Sequence, residues 1–187
     1  MLAAGGVAAL VVGVILLLPV FRMAVREFTL PLRYQDVIRQ EAADKHLDPA
    51  FIAAVIYAET KFYPRTSSTG AEGLMQIEPA TALFLAKRSG ATTFTTADLA
   101  TPEVNIAYGS YYLRYLLDHY HQNKVLALAA YNGGITNVDR WEAAAQGQGH
   151  SLTVSEIPFP ETQAYVERVL DAQRDYRKTY PTELGYR

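Results

Sequence analysis

Apolar residues recur along this chain mainly with the period of an α-helix. The pattern predicts helices over residues 34–46, 49–60, 79–89, 102–122, 124–131, 135–145 and 160–180. Asp48 stands at an N-cap position, and Pro49, Pro79, Pro102 and Pro160 each fit a first helical turn, where no amide donor is needed. Gly90 marks a helix stop. Gly109 lies inside the long helix over 102–122, where it costs stability relative to Ala, so it marks close backbone packing. Residues 91–101 and 146–157 read as loops, and no alternating apolar and polar run is long enough to predict a strand. The expected fold class is therefore all-α.

One stretch departs from the amphipathic pattern. Leu2 to Phe21 carries no charge over twenty residues, and as a helix it spans about 30 Å, the thickness of the bilayer hydrocarbon. A cleaved signal peptide has a shorter apolar region and a small-residue cleavage site. No such site precedes Phe21-Arg22-Met23, so a retained transmembrane helix is expected over 1–21, then a linker over 22–33 and a globular domain over 34–180. Arg22 and Arg26 follow the span and no Lys or Arg precedes it, which alone places the domain on the cytoplasmic side.

Composition narrows the chemistry. The chain has 187 residues, 50% of them hydrophobic, and about 150 remain beyond the apolar segment, enough for a single core. A formal net charge of −2 gives no footprint for a nucleic-acid partner. With no cysteine there is no disulfide, no thiol catalysis and no lipidated N-terminal Cys. The four histidines, at 46, 119, 121 and 150, are scattered and form no metal set. No phosphate loop is present, and no cofactor is expected.

Against this background two polar residues stand out of pattern. Ile52, Val55, Ile56 and Glu59 fall at i, i+3, i+4 and i+7, so one helix face puts the Glu59 carboxyl beside hydrocarbon. Desolvation disfavours the charged form and raises the pKa, which suits a general acid for glycosidic cleavage. A structural role, in which Glu59 pairs with an Arg or ends the helix, is the competing reading. Gln76 interrupts the apolar Leu74-Met75-Gln76-Ile77, and its amide can both donate and accept, as recognition of sugar hydroxyl and acetamido groups requires.

Four ordered blocks carry a resemblance. They are Glu59 to Ala82, Asn105-Ile106-Ala107-Tyr108-Gly109-Ser110-Tyr111-Tyr112-Leu113, Ala129-Ala130-Tyr131-Asn132-Gly133-Gly134, and Ile157-Pro158-Phe159-Pro160-Glu161-Thr162-Gln163-Ala164-Tyr165-Val166. Together they resemble the lytic transglycosylase domain of the soluble-transglycosylase type, a lysozyme-like helical fold that cleaves bacterial peptidoglycan. Some positions depart from that family's pattern. Thr60 replaces a Ser, Gly133 replaces an Ala, and Glu78 stands where the family often has an apolar residue. A shorter loop leaves either Ser67 or Ser68 at the substrate-facing serine position, Ser67 fitting the spacing better.

The resemblance implies Glu59 as the catalytic acid and base, with Ser67, Gln76, Tyr131, Asn132 and Tyr165 holding the substrate. It implies cleavage of the MurNAc-β-1,4-GlcNAc bond to give a 1,6-anhydromuramyl end. No Asp lies between Asp48 and Asp98, so the nearby carboxylates in sequence are Glu72 and Glu78. Substrate-assisted cleavage, in which the 2-acetamido oxygen attacks the anomeric carbon, needs neither. A goose-type lysozyme-like hydrolase using Glu78 or Glu72, and a non-catalytic wall-binding module, remain as alternatives. The partner implied is the peptidoglycan glycan strand. That substrate lies outside the membrane, so the expectation follows it rather than Arg22 and Arg26: a single-pass protein of the bacterial cell membrane, its domain on the extracytoplasmic side, with basic residues upstream of Met1.

Overall fold

A computed structural model describes residues 26–186. The expected span at residues 2–21 lies outside the described residues, and among those described no helix is long and apolar enough to cross a membrane. The chain divides between Leu32 and Arg33, and the features that follow all lie in the second unit.

The helices are α1 (Gln35–Asp44), α2 (Pro49–Thr60), α3 (Pro79–Ser89), α4 (Pro102–His119), α5 (Lys124–Gly133), α6 (Ile135–Gln146) and α7 (Pro160–Thr179). Short 3-10 turns at Thr96–Ala100 and Val154–Glu156 punctuate the two long loops. Helix α2 starts as its sequence dictates: Pro49 fills the first turn and the Asp48 side chain accepts from the Ala50 amide at 3.0 Å. It stops where Lys61 and Phe62 both take left-handed backbone conformations. Helix α4 ends three residues earlier than its periodicity predicts, because His121 and Gln122 are left-handed and the Gln122 amide turns back to Leu117 O.

Residues 50–56 are all buried, so α2 is enclosed on every side rather than along one stripe. The Ile52, Val55 and Ile56 face is thus one part of a helix that is apolar all round. Each such side chain contributes about 1.5–3 kcal/mol on burial, which makes α2 the axis of the domain. Its most extensive contact is with α7; α5 joins α4, α6 and α7, and α1 rests on α2 and α4. The C-terminal segment closes the back of α2. Asp48 accepts hydrogen bonds from Gln173, Arg177 and the Tyr186 hydroxyl, and Arg39 donates to Glu183 O at 2.5 Å.

A small antiparallel ribbon is the feature the hydrophobic pattern does not predict. It pairs β1 (Arg65–Thr66) with β2 (Glu72–Gly73), and Glu72 bridges on to Ile77. Strands of two residues are too short to carry alternation, so backbone geometry makes them. Gly70 turns the chain with φ +87°, while the Ser67 amide donates to Ala71 O at 2.8 Å.

Candidate active site

Glu59, in the last turn of α2, lies at the floor of a cleft of about 330 Å³, whose walls come from the ribbon loop, α3, α4, α5 and the first turn of α7. The carboxyl is largely buried, and burial raises its pKa to about 7. The Tyr165 hydroxyl, Arg168 and Arg65 each favour the charged form and hold the value down, while the Glu161 carboxylate pushes it up. Near neutral pH the group is therefore divided between acid and base. This is the condition for one residue to give a proton and take one back.

The Glu59 helix end is held from several directions. The Thr60 hydroxyl donates to Leu74 O at 2.7 Å, and Arg65 donates to Glu59 O at 2.9 Å. Glu72 and Met75, on either side of Gly73 and Leu74, are pinned in turn by Asn105, which is fully buried in α4. Its Oδ1 accepts from Met75 N at 2.8 Å, and its Nδ2 donates to Glu72 O at 2.8 Å and Leu99 O at 3.1 Å. Two glycines make this approach possible. At Gly73 (φ +76°) a Cβ would overlap the Asn105 amide and lie 2.7 Å from Leu99 O, and at Gly109 it would collide with the Met75 side chain. The close packing expected at Gly109 is thus against Met75.

The residues singled out in the sequence occupy distinct places. Gln76 lines the cleft from a left-handed conformation (φ +48°), and its Nε2 donates to Arg65 O at 2.7 Å and Gly73 O at 2.9 Å. Both amide hydrogens are spent on backbone, so Gln76 offers an acceptor to the cleft rather than a donor and an acceptor. Asn132, exposed in the α5 wall, accepts from the Thr162 hydroxyl at 2.7 Å and keeps its amide nitrogen for a ligand. Ser67 lines the cleft, whereas Ser68 is not among its walls; the Ser67 Oγ accepts from Ala71 N at 2.9 Å. Tyr131 also lines it, but its hydroxyl donates to Met75 O at 2.8 Å.

Tyr165 stands behind the cleft surface. It is 1% exposed, its ring parallel to Tyr131 at 6.4 Å and its buried hydroxyl beside Glu59, in a contact short of ordinary hydrogen-bond geometry. Burial, with the negative charge of Glu59, raises the pKa of both tyrosines well above 10. Both stay neutral, Tyr131 in the cleft wall and Tyr165 behind it.

Of the two carboxylates nearest in sequence, one lines the cleft and the other does not. Glu78 lines the cleft and precedes α3, yet its side chain makes no capping bond; Pro79 begins that helix without one. Glu72 is turned away and accepts from the Thr66 hydroxyl at 2.9 Å. The carboxylate missed is Glu161, brought in from the far end of the chain by α7. Its position just after Pro160, in the first turn of a helix, was the available signal. Asn105 had a signal too: a polar residue in register with Gly109 and Leu113 on a packed helix face. No group of His, Asp and Glu suited to a metal ion occurs among the described residues.

Comparison with known proteins places the same segment in context. The family model described as Transglycosylase SLT domain matches residues 36–154. The soluble lytic murein transglycosylase of Escherichia coli K12 is 33% identical over 150 residues, covering 79% of this chain and 23% of that protein. The transglycosylase of Enterobacteria phage PRD1 is 40% identical over 113 residues, 60% of this chain and 38% of its own. Among solved structures, the 70 kDa soluble lytic transglycosylase of Escherichia coli superimposes with a TM-score of 0.76 at 31% identity, over 86% of this chain and 28% of that one. An inactive mutant of the lytic transglycosylase Slt from Pseudomonas aeruginosa gives 0.74 at 30%, over 82% and 25%. This chain therefore spans about a quarter of the length of its bacterial relatives.

Proposed function

The chain belongs to the transglycosylase SLT domain family, and on that premise we propose that it is a peptidoglycan lytic transglycosylase. The observation that carries the reading is Glu59, a carboxyl desolvated to a pKa of about 7 at the floor of a cleft. In this mechanism Glu59 protonates the oxygen that bridges N-acetylmuramic acid to N-acetylglucosamine. The 2-acetamido oxygen attacks C1 as the bond breaks, so no second carboxylate is required. Glu59, now charged, takes the proton from the muramyl C6 hydroxyl, which closes on C1 and releases the acetamido group. The product is a 1,6-anhydromuramyl end, and no water is consumed.

The acceptor left on Gln76 and the amide hydrogens left on Asn132 suit the two ends of an acetamido group, which has one N–H and one carbonyl to satisfy. Residues 2–21 anchor the protein in the membrane in this proposal, with the cleft on the outer side where peptidoglycan lies.

A hydrolytic reading draws on Glu161 and Glu78, the two carboxylates that share the cleft with Glu59. Mass spectrometry of digested sacculi separates the two: anhydro ends support the transglycosylase, and reducing muramic acid ends support the hydrolase. Purified protein that leaves wall turbidity unchanged, while still binding it, would reject both.

A further inference from the structure

A second depression, of about 310 Å³, lies along α4. Its wall is one stripe of α4, where Tyr111, Arg114, Tyr115, Asp118 and His119 recur at helical spacing, with Arg88 added from the last turn of α3. The two hollows adjoin through an aromatic pair: Tyr112 lines the cleft and stacks on Tyr115 at 6.3 Å and 12°.

The chemistry of the second hollow is an excess of donors. Arg88 lies over the Tyr115 ring at 5.2 Å and has no ion-pair partner among the described residues. Arg114 binds Asp118 and Gln122, each at 2.7 Å, so the one acidic side chain here is already neutralised. Arg114 Nε is nevertheless buried without an acceptor. The hydroxyls of Tyr111 and Tyr115 are engaged by no other described group. The Arg88 guanidinium and two phenols without acceptors suit a planar anion, and an Arg fork fits a carboxylate in particular.

We infer that this hollow is a subsite for a carboxylate of the stem peptide borne by the muramyl residue, a reading that rests on the proposed action on peptidoglycan. Helix α3 measures the span, with Glu78 at the cleft and Arg88 at the hollow. Ten residues of helix rise about 15 Å, which an extended peptide of about five residues covers. Stem peptides branch from the lactyl group of muramic acid and carry free carboxylates along their length. A lactyl carboxylate on a bare muramyl ring has the same chemistry but remains at the cleft.

The test is binding in the Glu59→Gln background, which holds saccharide without cleaving it. The probes are a peptidoglycan tetrasaccharide carrying pentapeptide stems and the same saccharide after enzymatic removal of the stems, titrated by calorimetry. Arg88→Ala is expected to weaken the stem-bearing probe about tenfold, the scale of one charged hydrogen bond. The stripped probe is expected to bind as before, Arg88→Lys to recover part of the loss, and thermal unfolding to be unchanged. Equal weakening of both probes, or an unchanged Kd for the stem-bearing one, overturns the subsite. Turnover of sacculi by protein with Glu59 intact is measured alongside. If that protein is active while Arg88→Ala discriminates nothing, the subsite fails alone; if it is inactive, the proposed function fails.

Discussion

Glu59 has the character of an acid because of what surrounds it, so its chemistry and its effect on stability are tied to one titration. Activity is expected to fall as pH rises through about 7, where the proton that the leaving oxygen needs is lost. Glu59→Gln keeps the shape and removes that proton, and a loss of 10² or more in turnover of purified wall is expected, roughly the weight of general acid catalysis. The same substitution is expected to stabilise the domain. A carboxyl whose folded pKa is raised from 4.5 to about 7 leaves the fold unpenalised below pH 4.5 and costs stability as pH rises through 7. Unfolding at pH 8 is therefore expected to show Glu59→Gln more stable than wild type by up to about 3 kcal/mol. The difference vanishes at pH 4. Equal stability at both values would mean that Glu59 is solvated and is not the acid.

Among the elements, the Gly73 to Gln76 segment decides whether the acid faces a working cleft. Gly73→Ala meets Asn105 and the Leu99 carbonyl at a positive φ, with backbone that cannot yield, whereas Gly109→Ala meets the Met75 side chain, which can shift. Both are expected to destabilise, Gly109→Ala by about 1–3 kcal/mol, the range for overpacking, and Gly73→Ala by more. Because Met75 and Gln76 move with the segment, both variants are expected to lose activity beyond their loss of stability. Chemical denaturation with wall digestion at a temperature where the variant stays folded checks this. The sequence marked Gly109 as a point of close packing, but it could not supply Met75 as the neighbour, because the contact joins residues more than thirty positions apart. The ribbon was invisible for the opposite reason: it is too local to show a period.

At the scale of the molecule, the C-terminal segment secures the far end of the Glu59 helix. Burial pushes the Asp48 pKa up, but hydrogen bonds from Tyr186, Gln173 and Ala50, with the charge of Arg177, outweigh it and leave the value below normal. Such a carboxylate contributes stability above its unfolded pKa and loses it as pH falls through the folded one, in the window below about pH 4. Tyr186→Phe is expected to cost about 1 kcal/mol at pH 7 and less at pH 3, as measured by thermal unfolding. The division between Leu32 and Arg33 sets a second test. A chain beginning at Arg33 is expected to fold and to retain wall-cleaving activity in solution. Loss of helical circular dichroism on that truncation would make residues 1–32 part of the core.

What the sequence alone determined is local. Helix starts at Asp48, Pro79, Pro102 and Pro160 follow from caps and from proline's missing donor, and they stand where those residues predict. Glu59 and Gln76 were conspicuous because a polar side chain in an apolar run has few reasons to be there. Tertiary structure decided which hydrogen-bonding capacity each residue has left. It spent both Gln76 hydrogens on backbone, turned the Tyr131 hydroxyl to Met75 O, set Tyr165 behind the cleft and carried Glu161 into it from α7. Those outcomes depend on chain segments that meet only after folding. Periodicity reports which face of a helix is buried, but not which distant group will be waiting there.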